Sequence, residues 1–143
     1  MNYNRREFIK NTAIATAVVS LGPTVLNACA SPNDKVTVGL IGCRSMGFND
    51  LSGFLKQENV ECLALCDVDS KILESRAAEV EKQTGKKPLV YADFRKLLEN
   101  KDIDAVIIGT PDHWHAIMMM MALEAGKHVY VEKPMGRSIE ECN

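Results

Sequence analysis

The chain has 143 residues, of which 46% are hydrophobic and 25% charged. That length suits one compact domain and is short for two, and the composition excludes disordered, collagen-like and coiled-coil chains. The formal net charge of −2 leaves no electrostatic footprint for nucleic acid. No apolar run is long enough for a membrane-spanning helix, so a small soluble domain is the class that remains.

Residues 1–30 differ in character from everything after them. Asn4 to Lys10 is a basic start, Thr12 to Gly22 is a short apolar stretch rich in Ala, Thr and Val, and Ala28-Cys29-Ala30 is a run of small residues. This is the order of an export signal that is removed from the mature protein. Arg5-Arg6-Glu7-Phe8-Ile9-Lys10 resembles a twin-arginine signal, which implies the twin-arginine translocon as a partner and a periplasmic or other extracytoplasmic location. Two cleavage points compete. Ala28-Cys29-Ala30 fits a small-x-small site that releases Ser31 onward, while Leu26-Asn27-Ala28-Cys29 resembles a lipobox that makes Cys29 a lipidated N-terminus, the one link to a membrane. Losing Arg5, Arg6, Lys10 and Glu7 leaves the remainder at a formal charge of −4.

From Lys35 onward the hydrophobic period alternates between strand and helix. Val36 to Ile41 reads as a buried strand, and Phe48, Leu51, Phe54 and Leu55 follow at helical spacing. Val60 to Cys66 is a second strand, with Asp67 at its end. Asp69 to Thr84 is the clearest helix, stopped by Gly85. Leu89 to Tyr91 is a third strand, and Asp93 caps a short helix carrying Phe94, Leu97 and Leu98. Ile103 to Ile108 is a fourth strand, residues 113–125 a helix stopped by Gly126, and His128 to Val131 a fifth strand. Ser138-Ile139-Glu140-Glu141 is a capping box, and the chain stops one turn later, as a fragment of a longer chain would. The alternation predicts βαβ units, hence an α/β fold with a doubly wound parallel sheet over residues 35–143. Among the five cysteines no C-x-x-C occurs; the even spacing of Cys62 and Cys66 predicts one strand face and buried thiols, ahead of a metal site or a disulfide.

In such sheets ligands bind beyond the carboxyl ends of the strands, and four of those ends carry polar residues. Gly42-Cys43-Arg44-Ser45-Met46-Gly47 nearly matches the dinucleotide fingerprint G-x-G-x-x-G, with Arg44 in place of the middle glycine. A side chain there crowds the phosphates unless the guanidinium swings aside and binds them. Asp67, 25 residues after Gly42, is placed to accept hydrogen bonds from ribose hydroxyls and to repel a 2′-phosphate, favouring NAD over NADP. Its plainer role is to cap a helix. Thr110-Pro111-Asp112-His113-Trp114-His115 follows the fourth strand and Glu132-Lys133-Pro134 the fifth. His113 and His115 also read as helix-start residues bonded to backbone, Trp114 as packing, and Met118 to Met121 as helix core.

Together with Val38 to Gly42, the Met46-Gly47 pair and Cys66-Asp67-Val68-Asp69, these two segments make residues 35–143 resemble the N-terminal half of the Gfo/Idh/MocA nicotinamide-dependent oxidoreductases. The resemblance implies a Rossmann-like fold that binds NAD, with NADP the less favoured cofactor. It implies that Gly42, Arg44, Met46 and Gly47 lie in the pyrophosphate loop, that Asp67 is the ribose acid, and that Thr110, Pro111, Asp112, His113, Trp114 and His115 line the nicotinamide side. It implies that Glu132 and Lys133 contact cofactor and substrate, with Lys133 catalytic near the reacting carbon and Pro134 in the cis form. It also implies a C-terminal substrate domain that this chain lacks.

Three functions follow as expectations. One is the cofactor domain of an exported, NAD-dependent sugar oxidoreductase. The second, resembling the NAD-dependent N-acetylgalactosaminidases through the signal and Trp114-His115, is a glycosidase that keeps NAD bound and oxidises the sugar transiently. The third is a catalytically silent nucleotide-binding fragment.

Overall fold

The computed structural model describes residues 35–142. The expectations for residues 1–34, including the export signal and Cys29, lie outside the described residues.

Five parallel strands form one sheet: β1 Val36–Ile41, β2 Val60–Cys66, β3 Leu89–Tyr91, β4 Ala105–Ile108 and β5 His128–Val131. The helices between them are α1 Ser45–Phe54, α2 Ser70–Thr84, α3 Phe94–Leu98 and α4 His115–Glu124, and α5 Ile139–Cys142 follows β5. The strand order β3-β2-β1-β4-β5 means that the chain winds outward from β1, then returns to its other side. The crevice between β1 and β4, at their carboxyl ends, is the switch point of such a sheet.

The sheet is covered on both faces, which is why its strands read as nearly unbroken apolar runs. Successive residues of β1 and β4 point to opposite faces. Leu40 and Ile107 pack with Phe48, Leu51, Leu73 and Val80 under α1 and α2. Ile41, Val106 and Ile108 pack with Leu97, Ile103, Met118 and Ala122 under α3 and α4. Asp69 caps α2 by accepting the amides of Lys71 and Ile72, and Gly85 ends it in the left-handed conformation at φ 73°.

Cys62 and Cys66 do not share a face. Val38 pairs with Cys62 but Gly39 pairs with Ala64, so Leu63 is an extra residue on β2. A bulge of one residue reverses the side-chain parity beyond it. Cys62 therefore faces the α1–α2 layer and Cys66 the α3–α4 layer. Burial is the main cause that pushes the thiols of Cys43, Cys62 and Cys66 up to about 12. Alkylation of the native protein at about pH 8 is expected to spare these three and to label the exposed Cys142, as read by peptide-resolved mass spectrometry. Label on any of the three before denaturation would contradict this packing.

At the amino ends of the strands, Asp104 joins β4 to β1. Its Oδ2 accepts the Thr37 amide at 2.8 Å and the Thr37 hydroxyl at 2.7 Å. These bonds, the amide first, hold the Asp104 carboxyl below the ordinary carboxylate range. A lowered native pKa gives stability that is present above the ordinary range and is lost as pH falls through the lowered one. Asp104→Asn is expected to remove that part of the acid sensitivity, measured as a flatter plot of urea midpoint against pH between about pH 6 and about pH 3.

Candidate functional site

A cleft of ≈ 670 Å³ opens at the carboxyl ends of the strands. Its walls are Gly42, Arg44 and Met46 after β1, Asp67 after β2, Asp93 to Arg95 after β3, and Thr110, Pro111 and Trp114 after β4.

The floor is a contact of three glycines. Gly42 has φ +90°, and a Cβ there would meet the backbone of Gly109 and Thr110 at 2.8 Å. A Cβ on Gly47 would lie 2.2 Å from the Gly42 carbonyl oxygen, and one on Gly109 would lie 2.3 Å from the Gly47 Cα. The turn after β1, the start of α1 and the turn after β4 thus touch backbone to backbone. The first turn of α1 comes to the cleft with no side chain among the described residues capping it and no acid within it. Its free amides and the helix dipole favour an anion there.

Arg44 has φ −80° and ψ 170°, extended backbone open to any residue, so the backbone conformation itself does not call for glycine at this middle position. Its guanidinium is directed to the N-cap of α2, where Nη2 lies 2.7 Å from Asp69 Oδ2. Asp67 is half-buried. Its Oδ2 accepts the Cys43 amide at 2.8 Å and its Oδ1 accepts the Asp69 amide at 2.9 Å. Each carboxylate oxygen retains a further lone pair for a ligand hydroxyl.

The segment after β4 does not enter helix at once. Asp112–Trp114 form a single 3₁₀ turn and α4 starts at His115. Trp114, 43% exposed, stands edge-on to Phe94 at 6.5 Å and closes one wall. Asp112 and His113 are exposed and outside the cleft lining. His115 differs from the expectation that it lines the nicotinamide side. It is 2% exposed, with Nδ1 2.6 Å from the Pro134 carbonyl oxygen and Nε2 2.7 Å from that of Thr110. It braces the turn after β4 against the turn after β5, as a backbone-bonded helix-start residue does. Gly47 is buried in the floor, and Glu132 and Lys133 lie at the end of β5 beyond the cleft lining. Glu132 Oε2 accepts the Lys133 amide at 3.2 Å, Lys133 is exposed, and the Lys133–Pro134 bond is cis.

Three features of this region have no site role that the sequence discloses. Gly109 was visible only as a strand end, although its place after an apolar run matches that of Gly42. Asp93 and Arg95 line the cleft because β3 pairs beside β2. Asp50 of α1 has a buried Oδ2 with no partner among the described residues, and burial followed by the nearby Glu132 raises its pKa above the ordinary range. No local pattern marks it.

Comparison with known proteins agrees with this geometry. Residues 36–143 match the Gfo/Idh/MocA family, described as an oxidoreductase family with an NAD-binding Rossmann fold. A glycosyl hydrolase family 109 protein of Shewanella baltica is 37% identical over 99% of this chain and 36% of its own. An alpha-N-acetylgalactosaminidase of Shewanella oneidensis is 34% identical over the same shares. The chain thus spans about a third of the length of these relatives. Among solved structures, the WlbA dehydrogenase of Bordetella pertussis, in complex with NADH and UDP-GlcNAcA, matches with a TM-score of 0.66 and 26% identity, over 75% of this chain and 30% of that one. A parallel sheet with a glycine-floored switch point, matched by the family over residues 36–143, establishes that the chain belongs to the Gfo/Idh/MocA oxidoreductases and carries their NAD(P)-binding Rossmann domain.

Proposed function

We propose that this chain supplies the NAD site of an exported enzyme acting on a sugar derivative, which keeps the nucleotide bound and uses it transiently during glycoside cleavage. The observation that carries the nucleotide assignment is the backbone-to-backbone contact of Gly42, Gly47 and Gly109, which holds the turn after β1 and the first turn of α1 at the cleft beside Asp67. In this reading the amides of the first α1 turn, with Met46 and the backbone of Arg44, take the pyrophosphate, and Asp67 takes the adenosine ribose. Its negative charge disfavours a 2′-phosphate, so NAD is preferred to NADP. Thr110, Pro111 and Trp114 form the nicotinamide wall, Asp112 and His113 its outer edge, and His115 the brace behind it.

When bound, NAD supplies a reversible acceptor for a hydride from a sugar carbon. Glu132 and Lys133 face the substrate side in this reading. The Lys133 ammonium steadies negative charge as it develops on a sugar oxygen, an effect that grows where water is excluded. The names of the two Shewanella relatives support cleavage over net oxidation, and the ligands of the Bordetella neighbour support a sugar derivative as substrate.

The test compares this chain with a longer form of the same protein, if the coding region continues, on an aryl N-acetyl-α-galactosaminide with NAD present. Cleavage without net NADH by the longer form supports the proposal. Sugar-dependent accumulation of NADH selects the oxidoreductase reading instead. The 143-residue chain by itself is expected to bind NAD weakly and to turn nothing over. Export belongs to the same proposal: replacing Arg5 and Arg6 by lysine is expected to retain the protein in the cytoplasm. Mass spectrometry of the mature N-terminus separates lipid on Cys29 from cleavage before Ser31.

A further inference from the structure

The residue in the middle of the turn after β1 is an arginine whose side chain is already engaged. Arg44 Nη2 lies 2.7 Å from Asp69 Oδ2, and Asp69 is the residue that caps α2. The guanidinium therefore borders the cleft two residues from Asp67. After β3, Arg95 is held in the same manner, with Nε 2.9 Å from one Asp93 oxygen and Nη2 2.9 Å from the other. Asp67, another member of that wall, accepts two backbone amides and has no basic side chain bonded to it among the described residues. This end of the cleft thus carries two guanidiniums, each answered by its own carboxylate, and a third carboxylate without a cation.

Ribose hydroxyls suit that balance, and a 2′-phosphate with its added negative charge does not. Yet a guanidinium is the side chain best shaped to take a phosphate through two parallel bonds. The Arg44 side chain is 66% exposed, so its pairing with Asp69 contributes little to stability and leaves it free to turn if released. Resting on the reading of this cleft as a dinucleotide site, we propose that the Arg44–Asp69 pair sets the choice of cofactor. Arg44 is a latent receptor for the 2′-phosphate. Asp69 holds it against α2, so that NAD is taken and NADP refused. Discrimination then resides in Asp69 as well as in Asp67, and the Arg44 side chain serves the adenosine end of the cleft while its backbone stays with the pyrophosphate.

Asp69→Asn tests this directly, because asparagine caps a helix as well as aspartate while removing the charge. Asp69→Ser, a second capping residue, guards against a variant that fails to fold. Calorimetry compares NAD with NADP, and AMP with adenosine 2′,5′-bisphosphate, two probes that differ only in the 2′-phosphate. In Asp69→Asn the affinity for the 2′-phosphorylated member of each pair, relative to its partner, is expected to rise on the order of tenfold. Adding Arg44→Ala is expected to return the ratio to that of the unmodified chain. NAD binding with an unchanged ratio overturns this inference and leaves the site reading intact. A ratio that rises equally without Arg44 overturns it too, since lost repulsion alone then explains the change. A chain that binds none of the four nucleotides overturns the site reading and this inference together.

Discussion

Gly47→Ala is expected to destabilise the domain by about 3 kcal/mol or more and to abolish nucleotide binding. Helix propensity alone predicts the reverse, because alanine in a helix is better than glycine by about 1 kcal/mol. The sign changes because the new Cβ would sit 2.2 Å from the Gly42 carbonyl oxygen and 3.1 Å from the Gly109 Cα. Both are backbone atoms of turns fixed by the sheet: the Gly42 amide bonds the Cys66 oxygen and the Gly109 amide bonds the Ile41 oxygen, each at 2.9 Å. Relief therefore requires α1 to lift from the sheet, opening the packing of Phe48 and Leu51 on Leu40. Gly53 in the same helix is the control, since nothing lies within 4 Å of a Cβ there. Gly53→Ala is expected to stabilise by about 0.5–1 kcal/mol. Urea midpoints followed by circular dichroism separate the two, and equal effects of the same sign would refute the glycine contact.

Asp67→Ala is expected to weaken NAD binding by about 2–3 kcal/mol, a loss of roughly thirty- to a hundred-and-fifty-fold. The carboxylate serves the site in two ways. It offers acceptors to the ribose, and through the Cys43 and Asp69 amides it joins the turn after β1 to the start of α2. Alanine removes both and leaves two amides without a protein acceptor, which lowers the stability of the domain as well. Titration calorimetry on folded samples, with the urea midpoint measured in parallel, separates lost contact from lost fold. Unchanged NAD affinity in a folded Asp67→Ala would remove Asp67 from the site.

Much of this arrangement is legible in the sequence because local chemistry and tertiary packing agree. The strand bounds Val36–Ile41, Val60–Cys66 and His128–Val131 coincide with apolar, β-branched runs, and Asp69 and Gly85 mark α2 through a side-chain cap and a left-handed residue. The departures arise where a distant partner decides. β4 begins at Ala105 rather than Ile103, with the Asp104 backbone still bonded to Thr37 on one side and His128 on the other. The bulge at Leu63 depends on the register against β1, which no pattern within β2 discloses. Within the site, Gly42, Asp67 and Trp114 stand out by residue type and place, and the structure brings them to one cleft. The direction of Arg44 and the inward turn of His115 depend on Asp69, Thr110 and Pro134, partners set by the topology of the loops.

The central claim is that a dinucleotide lies across the carboxyl ends of the strands. It is tested most directly by titrating NAD into the isotopically labelled chain and following backbone amide resonances. The account predicts saturable shifts at Gly42 to Gly47, Val68, Ala92 to Arg95, Gly109, Thr110 and Asp112 to Trp114, with Thr37 and Asp104 at the opposite ends of the strands unmoved. Shifts confined to that opposite edge, or none at millimolar NAD from a folded chain, would contradict it.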